Sequence, residues 1–342
     1  MVTSTEPTES TGCDGGSDAA SQAPVPTVRG RLRYLLVLSR PRFWFYLAGP
    51  VIVGVAYGAD AVPELFGPAA LVLFGYFLVP ANVLLYGVND LFDADIDAEN
   101  PKKAAEDGRE SRWRGDRVVT AAIVAAGLLS LVTLAVTPPI AWPYLGGFLL
   151  LAVGYSAPPA RLKTTPLLDS VSNGLYVLPG AAAYVAVSGT YPPTAALVSA
   201  WVWAMAMHTF SAVPDIKPDR AAGIRTTATV LGERRTYMYC AGCWALAAAA
   251  FATVDPGLGA LLGVYPIFVV AVAATDVAVE RAYWWFPALN TVVGTALTIG
   301  GLTRIVRPAD AGLPIEVWAL VVEVWALVVE VWALVGVIVG VA

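Results

Sequence analysis

The fold is decided by residues 67–97, which read GPAALVLFGYFLVPANVLLYGVNDLFDADID. Residues 67–88 of this stretch contain no charged side chain, and a helix needs about 20 such residues to cross a bilayer core about 30 Å thick. The segment that follows, residues 89–97, carries four aspartates. The stretch therefore predicts a membrane-spanning helix that ends in an acidic motif.

The composition of the whole chain agrees with this reading. Of its 342 residues, 57% are hydrophobic and 14% are charged. Soluble domains contain about 45–50% apolar and about 25% charged residues. The net charge is −5, and the basic residues are not pooled into one stripe, so no nucleic-acid partner is expected. The chain is predicted to be an all-α integral membrane protein.

Apolar blocks along the chain predict nine spans. We expect a bundle of two four-helix repeats plus one further helix, within a membrane domain of residues 28–305. Residues 28–42 are basic and amphipathic, which is typical of an interfacial helix leading into the first span. The predicted spans are 43–58, 67–88, 118–136, 140–156, 168–188, 193–213, 236–253, 258–274 and 283–303.

The positions of lysine and arginine orient these spans. All but two of the 21 basic residues precede span 1 or lie in the loops between spans 2 and 3, 4 and 5, 6 and 7, or 8 and 9. The two exceptions, Arg304 and Arg307, follow span 9. By the positive-inside rule, this pattern predicts a multi-pass protein of the cell membrane with its basic loops and acidic motifs on the cytoplasmic side.

The two ends of the chain differ from this pattern. Residues 1–27 are rich in Ser, Thr, Gly, Pro and acidic residues, which predicts a disordered tail. Residues 314–342 are predicted to form an extra apolar helix, in which EVWALVV repeats as a heptad from Glu316. This repeat is either a stripe for helix association or a duplicated stretch that lengthens a terminal helix. Cys240 and Cys243 lie in an apolar stretch and are expected to be small buried helix residues.

The first acidic motif predicts a metal site. Asp90, Asp93 and Asp97 are spaced i, i+3, i+7 and share one face of a helix, whereas Asp95 lies on another face. Three carboxylates on one face repel each other unless a cation lies between them. Mg²⁺ takes oxygen ligands and pairs carboxylates with substrate phosphates, so we expect magnesium here.

A second acidic motif lies at the end of span 6. Asp215 and Asp219 are spaced i, i+4, but Pro214 and Pro218 argue against a regular helix through this turn. Each motif ends the second span of a four-span block. The match predicts two parallel repeats whose facing motifs hold a diphosphate through magnesium in a central cavity.

Basic and polar residues near both motifs are candidates for binding phosphate. Residues 155–163 read YSAPPARLK and end span 4. Arg161 can bind phosphate oxygens through a bidentate fork and Lys163 as a point charge. The alternative is that both are ordinary basic residues of a cytoplasmic loop.

Together these motifs resemble the UbiA-type intramembrane prenyltransferase superfamily. The resemblance rests on N-D-x-x-D-x-x-x-D at 89–97, D-x-x-x-D at 215–219, Y-S-x-P-P-x-R-x-K at 155–163, and Arg40-Pro41 before span 1. It implies nine helices around a cavity open to the bilayer, and magnesium-dependent transfer of a prenyl group from a diphosphate donor to a lipophilic acceptor. It implies catalytic roles for Tyr155 and for the metal-binding Asp90, Asp93, Asp97, Asp215 and Asp219, and diphosphate binding by Asn89, Arg161, Lys163, Lys217 and Arg225.

Within that superfamily, residues 155–170 and 215–229 look like those of lycopene elongases in the carotenoid branch. This likeness implies dimethylallyl diphosphate as the donor, lycopene as the acceptor and hydration of the product, on the route to the C50 carotenoid bacterioruberin. A quinone precursor or an archaeal glycerol lipid is the alternative acceptor. A secondary transporter is a further alternative, because transporters also combine internal repeats with acidic residues in the membrane.

Tyr155 and four further side chains are candidates for the interior of the site. Tyr86, Phe92, Tyr155 and Tyr176 lie near the motifs and can stabilise an allylic cation through their ring faces. His208 is the only histidine and falls within span 6. It is either a cavity residue or a histidine with satisfied hydrogen bonds in the core.

Overall fold

The structure is a computed structural model that describes residues 27–97, 117–275 and 277–305. These residues form helices and turns, with no strand among them. Short 3₁₀ turns link several of the helices. The α-helices are α1 (Val28–Leu38), α2 (Trp44–Gly58), α3 (Pro68–Leu78), α4 (Pro80–Asp97), α5 (Arg117–Val136), α6 (Trp142–Gly154), α7 (Leu168–Val171), α8 (Leu178–Ser188), α9 (Thr194–Ser211), α10 (Ile216–Ala221), α11 (Thr227–Leu231), α12 (Glu233–Ala252), α13 (Pro256–Leu262), α14 (Val264–Ala274) and α15 (Val279–Leu302).

Each predicted span coincides with helical structure, but three of them are interrupted. Val79 separates α3 from α4, which begins at Pro80, and Gly263 separates α13 from α14. The predicted span 168–188 is wrong as one continuous helix, because a 3₁₀ turn over Ser172–Tyr176 separates α7 from α8. At Gly174 in this turn, a Cβ atom would lie 1.9 Å from the Trp201 ring of α9. Glycine is therefore needed at this position of the turn, because the Trp201 ring occupies the space that a side chain would take.

The described helices include four that are long and apolar enough to cross a membrane: Pro68–Phe92, Arg117–Val136, Thr194–Ala221 and Pro256–Ala274. The outward face of α5 is apolar, with Leu128 60% and Leu131 58% exposed. A soluble protein rarely exposes so continuous an apolar face, whereas lipid is its natural solvent. The chain is a multi-pass membrane protein.

Close helix crossings hold the bundle together. α2 packs against α8, and a Cβ atom on Gly54 would lie only 2.1 Å from the carbonyl oxygen of Gly180. Small residues allow this approach, which increases van der Waals contact where no water drives helices together. The Nη2 atom of Arg42, just before α2, donates to the carbonyl of Trp284 in α15 at 2.7 Å. This bond joins the first and last membrane helices of the described chain.

The buried core of the described residues consists of four clusters, of which two are large. The first lies among α2, α3, α4, α6 and α8 and includes Phe77 and Phe148, whose rings are 5.0 Å apart. The second lies among α9, α12, α14 and α15 and includes Phe210, Trp244 and Phe286. The ends of α4, α6 and α9 bring polar side chains together between these two apolar clusters.

Some predictions fall outside the described residues. These are the tail (except Thr27, which caps α1), the C-terminal helix at 314–342, and the basic residues of the loop at 102–114. The prediction for Cys240 is confirmed, because this residue is buried and its thiol donates to the carbonyl of Ala206 at 3.5 Å.

Candidate active site

The first acidic motif lies on the last turns of α4. The helix continues to Asp97, so the backbone is helical throughout the motif, as the spacing argument requires. Asp90 is 2% exposed and therefore lies inside the bundle. The side chains of residues 93–97 are outside the description, so the metal-binding roles of Asp93 and Asp97 stay predictions.

Asn89 joins the first acidic motif to the segment 155–163 that follows α6. Its Oδ1 atom accepts hydrogen bonds from Ser156 Oγ at 2.9 Å and from Lys163 Nζ at 3.1 Å. The backbone N–H of Lys163 donates to the carbonyl of Tyr155 at 3.1 Å. The loop that follows α6 is thereby fixed to the end of α4, and the Lys163 ammonium is positioned at Asn89, the residue before Asp90.

The same loop places Arg161 against α4. Its Nη2 atom donates to the carbonyl of Phe92 at 3.2 Å. The Arg161 backbone has φ 40°, a left-handed conformation that costs energy for a residue other than glycine and often occurs at functional sites. The Phe92 ring is 41% exposed, so it is not part of a buried aromatic wall.

The second motif is irregular, as its prolines predict. α9 ends at Ser211, a 3₁₀ turn covers Val213–Asp215, and the short α10 follows. Asp215 and Asp219 are partly buried, whereas Lys217 and Arg225 are exposed. No hydrogen bond within the described chain ties Lys217 or Arg225 to the Asn89 cluster, so their role at a diphosphate stays a prediction.

Asp169 ties α7 to α11, the segment that supports the second motif, and sequence reasoning missed this role. The carboxylate is 1% exposed and accepts hydrogen bonds from Thr227 Oγ1 and, at 2.8 Å, from Thr227 N–H. Thr227 begins α11, and nearby Thr229 offers its carbonyl to Arg220 of the second motif at 2.8 Å. A signal was present, because a carboxylate within a membrane segment is costly and is usually retained for function.

Aromatic side chains surround the polar cluster. The Arg40 guanidinium lies 4.5 Å above the centre of the Tyr86 ring, and Tyr86 and Tyr176 interact electrostatically. The rings of Tyr46 and Tyr176 meet edge to face with centroids 6.2 Å apart. Two of the predicted aromatic residues, Tyr86 and Tyr176, thus lie next to each other and next to a cation.

His208 pairs with Tyr155, the remaining predicted aromatic residue. Its Nε2 atom lies 3.4 Å from the Tyr155 hydroxyl, and the two rings are perpendicular with centroids 5.9 Å apart. The pairing places His208 at the polar cluster rather than in either apolar core.

The donor set suits a hard divalent cation. Carboxylate and amide oxygens are the ligands that Mg²⁺ prefers, and Asp90, Asn89, Asp215 and Asp219 supply oxygens of these kinds. Within the side chains that the structure describes, no group of three or more His, Cys, Asp or Glu residues converges. The described set excludes Asp93 and Asp97, so the full metal site stays a prediction.

The family model of the UbiA prenyltransferase family matches residues 47–291. The chain belongs to this family of prenyltransferases. It is 62% identical to the lycopene elongase/hydratase of Haloferax volcanii over 294 residues, which are 86% of this chain and 96% of that protein. It is also 60% identical to the lycopene elongase/hydratase of Halobacterium salinarum, over 80% of this chain and 99% of that protein.

Solved structures with a similar fold are UbiA homologues. A UbiA homologue from Archaeoglobus fulgidus, solved with DMAPP and Mg²⁺ bound, superposes with a TM-score of 0.59 at 21% identity. The match covers 79% of this chain and 99% of that one. The all-helical UbiA fold expected from the sequence is confirmed.

Proposed function

We propose that this chain is a magnesium-dependent prenyltransferase that adds five-carbon units from dimethylallyl diphosphate to lycopene and hydrates the product. The observation that carries the proposal is the Asn89 oxygen that Lys163 and Ser156 share. It fixes the Lys163 ammonium at Asn89, next in sequence to the buried Asp90, at the end of a membrane helix, where a diphosphate would need neutralisation. Haloarchaeal relatives with 57–62% identity, all named lycopene elongase/hydratase, support the acceptor.

Magnesium would be held by Asp90, Asp93, Asp97, Asp215 and Asp219, and when bound it supplies positive charge to the leaving diphosphate. Arg161 and Lys163 bind the phosphate oxygens from the loop after α6, and Lys217 and Arg225 approach from the second motif. These charges favour cleavage of the allylic C–O bond because negative charge develops on the departing oxygen.

The aromatic residues act on the other fragment. Tyr86 and Tyr176 present ring faces to the allylic cation, and each such contact contributes about 0.5–2 kcal/mol. The terminal double bond of lycopene then attacks the allylic cation. The new C–C bond forms at C2 of lycopene and leaves a tertiary cation at C1 of lycopene. Capture by water gives a hydroxyl group, and loss of a proton gives an alkene.

The proposal includes a membrane arrangement. Nine helices, in two four-helix repeats plus one, surround a cavity that opens to the lipid, where a carotenoid is dissolved. Both acidic motifs face the cytoplasm, where the water-soluble donor is made.

Expression in a lycopene-producing bacterium, followed by mass spectrometry of the carotenoids, tests the proposal. Wild-type protein is expected to give C45 and C50 carotenoids with one added water per unit, and Asp93→Ala and Asp215→Ala are expected to give none. Asp95→Ala is the matched control, because Asp95 lies in the same motif but off the shared face. Unchanged lycopene from well-inserted wild-type protein would refute the acceptor.

A further inference from the structure

His208 is the only histidine of the chain, and it lies within a membrane helix. A titratable side chain is expensive to place there and usually marks a function. Its Nε2 atom is 3.4 Å from the Tyr155 hydroxyl, with the two rings perpendicular. Within the described chain, this hydroxyl is the only hydrogen-bond partner of the imidazole ring.

Tyr155 is connected to the cluster of Asn89, Ser156 and Lys163 through its backbone and through Ser156. Its carbonyl accepts the N–H of Lys163, and the next residue, Ser156, shares Asn89 with the Lys163 ammonium. The imidazole of His208 is therefore one side chain away from the residues that bind the leaving group. A cation formed in the acceptor beside the transferred five-carbon unit arises in this same region.

The short helix α7, which carries Asp169, packs against α9 beside His208, because Thr209 Oγ1 donates to Ser170 Oγ at 2.9 Å. Asp169 lies close enough to interact with the imidazole electrostatically. Both carboxylate oxygens of Asp169 accept hydrogen bonds from Thr227, so the position of this carboxylate is fixed. An imidazole beside a fixed carboxylate can accept a proton and be stabilised as the imidazolium.

We propose that His208, acting through the Tyr155 hydroxyl, is the base that receives the proton when water captures the acceptor cation. The inference rests on the proposed function and extends it, because it names the residues that direct the cation toward the alcohol rather than the alkene. Tyr155 contacts the water, and His208 stands behind it.

The step balances in atoms and charge. The water oxygen forms a C–O bond with the tertiary cation at C1, and one O–H bond of that water breaks with its electron pair left on oxygen. The released proton passes to the Tyr155 oxygen as the phenolic proton passes to His208 Nε2. The products are a neutral tertiary alcohol and an imidazolium, which returns its proton to the released diphosphate.

The test compares the ratio of hydrated to dehydrated elongated carotenoids in a lycopene-producing host. His208→Gln keeps an acceptor for the Tyr155 hydroxyl but has no basic nitrogen, and His208→Phe removes both. Both variants are expected to lower the ratio at least about tenfold, since general bases contribute factors of 10² or more. Met207→Leu, a change of similar volume at the neighbouring buried position, is expected to leave the ratio unchanged.

Labelling supplies a second readout. Growth in H₂¹⁸O is expected to add the heavier isotope to each new hydroxyl of the wild-type product, and the label per elongated molecule is expected to fall in both His208 variants. An unchanged ratio in His208→Gln overturns the base role and leaves His208 as a residue that only positions Tyr155. A ratio that shifts toward the alcohol overturns it too, because His208 would then remove the proton that forms the alkene.

Two further outcomes separate this inference from the proposed function. Elongated products absent from wild-type protein would overturn both. Elongated products present in wild-type protein but absent from both His208 variants, at equal amounts of inserted protein, would overturn only the inference. His208 would then be needed before the acceptor cation forms.

Discussion

The two acidic motifs have the same spacing of their last two aspartates but different support. The first stands on a continuous helix, and a hydrogen-bonded cluster of Asn89, Ser156 and Lys163 fixes its first turn. The second stands on a 3₁₀ turn and a six-residue helix, and its neighbour Arg220 reaches only a backbone carbonyl of α11. The first motif is built by local helix geometry, whereas the second depends on a distant segment for its position.

The comparison makes Asp169 the residue whose loss should cost most. Asp169→Ala removes both acceptors of the buried Thr227 and with them the link between α7 and α11, which supports the second motif. Hydrogen bonds to a buried charge contribute about 1.5–3 kcal/mol, so we expect the free energy of unfolding in detergent to fall by about 3 kcal/mol and prenyl transfer to be lost. Thermal unfolding of the purified protein measures the effect.

A matched control for Asp169 is Asp255. It accepts a backbone N–H from Leu258 at 3.0 Å as the N-cap of α13, and it is exposed. Asp255→Ala is expected to cost about 1 kcal/mol, as for other caps. If both substitutions lowered the free energy of unfolding equally, the hydrogen bonds between Asp169 and Thr227 would contribute no more than a helix cap does.

Asn89 is expected to give the next largest effect. Asn89→Ala leaves the Lys163 ammonium without its fixed acceptor, which should cost about 1.5–3 kcal/mol of transition-state stabilisation, or about 10- to 150-fold in kcat/KM. Ser156→Ala removes only one neutral donor and should cost tenfold or less by the same scale. Steady-state rates with dimethylallyl diphosphate in proteoliposomes measure both. Equal effects would mean that Asn89 acts other than by holding Lys163.

The smallest effect separates the cations of the two motifs. Lys163→Met is expected to raise the KM for dimethylallyl diphosphate about tenfold more than Lys217→Met does, because Lys163 is positioned by Asn89 and Lys217 is exposed. Added salt should abolish the effect of Lys217→Met and preserve most of the effect of Lys163→Met. The reverse order would assign the diphosphate to the second motif.

Local pattern was enough to predict much of this molecule. Charge-free blocks located the helices, and helical spacing identified Asp90 at a buried position on α4. The prolines beside Asp215 predicted the irregular second motif, and the Y-S-x-P-P-x-R-x-K segment contributed Tyr155, Ser156 and Lys163 to the cluster. Each of these features depends on residues within a few turns of one another.

The features that sequence reasoning missed are contacts between distant residues. Asp169 and Thr227 are 58 positions apart, and Tyr155 and His208 are 53 apart. In the turn that separates α7 from α8, the Trp201 ring occupies the space beside Gly174, so a glycine is needed there. No periodicity within one segment carries this information, since the partner belongs to another helix.

The bond between Arg42 and the carbonyl of Trp284 has a consequence for biosynthesis. Its partners are 242 residues apart, and ribosomes add about 5–20 residues per second, so Arg42 waits roughly 10–50 s for its acceptor. Throughout that time the seam between α2 and the future position of α15 stays open to lipid. Among the described helices, the contact between α2 and α15 is therefore the last to form. A mutation that disrupts α15 should yield a protein that is inserted in the membrane but lacks this contact, and quality-control proteases should recognise it.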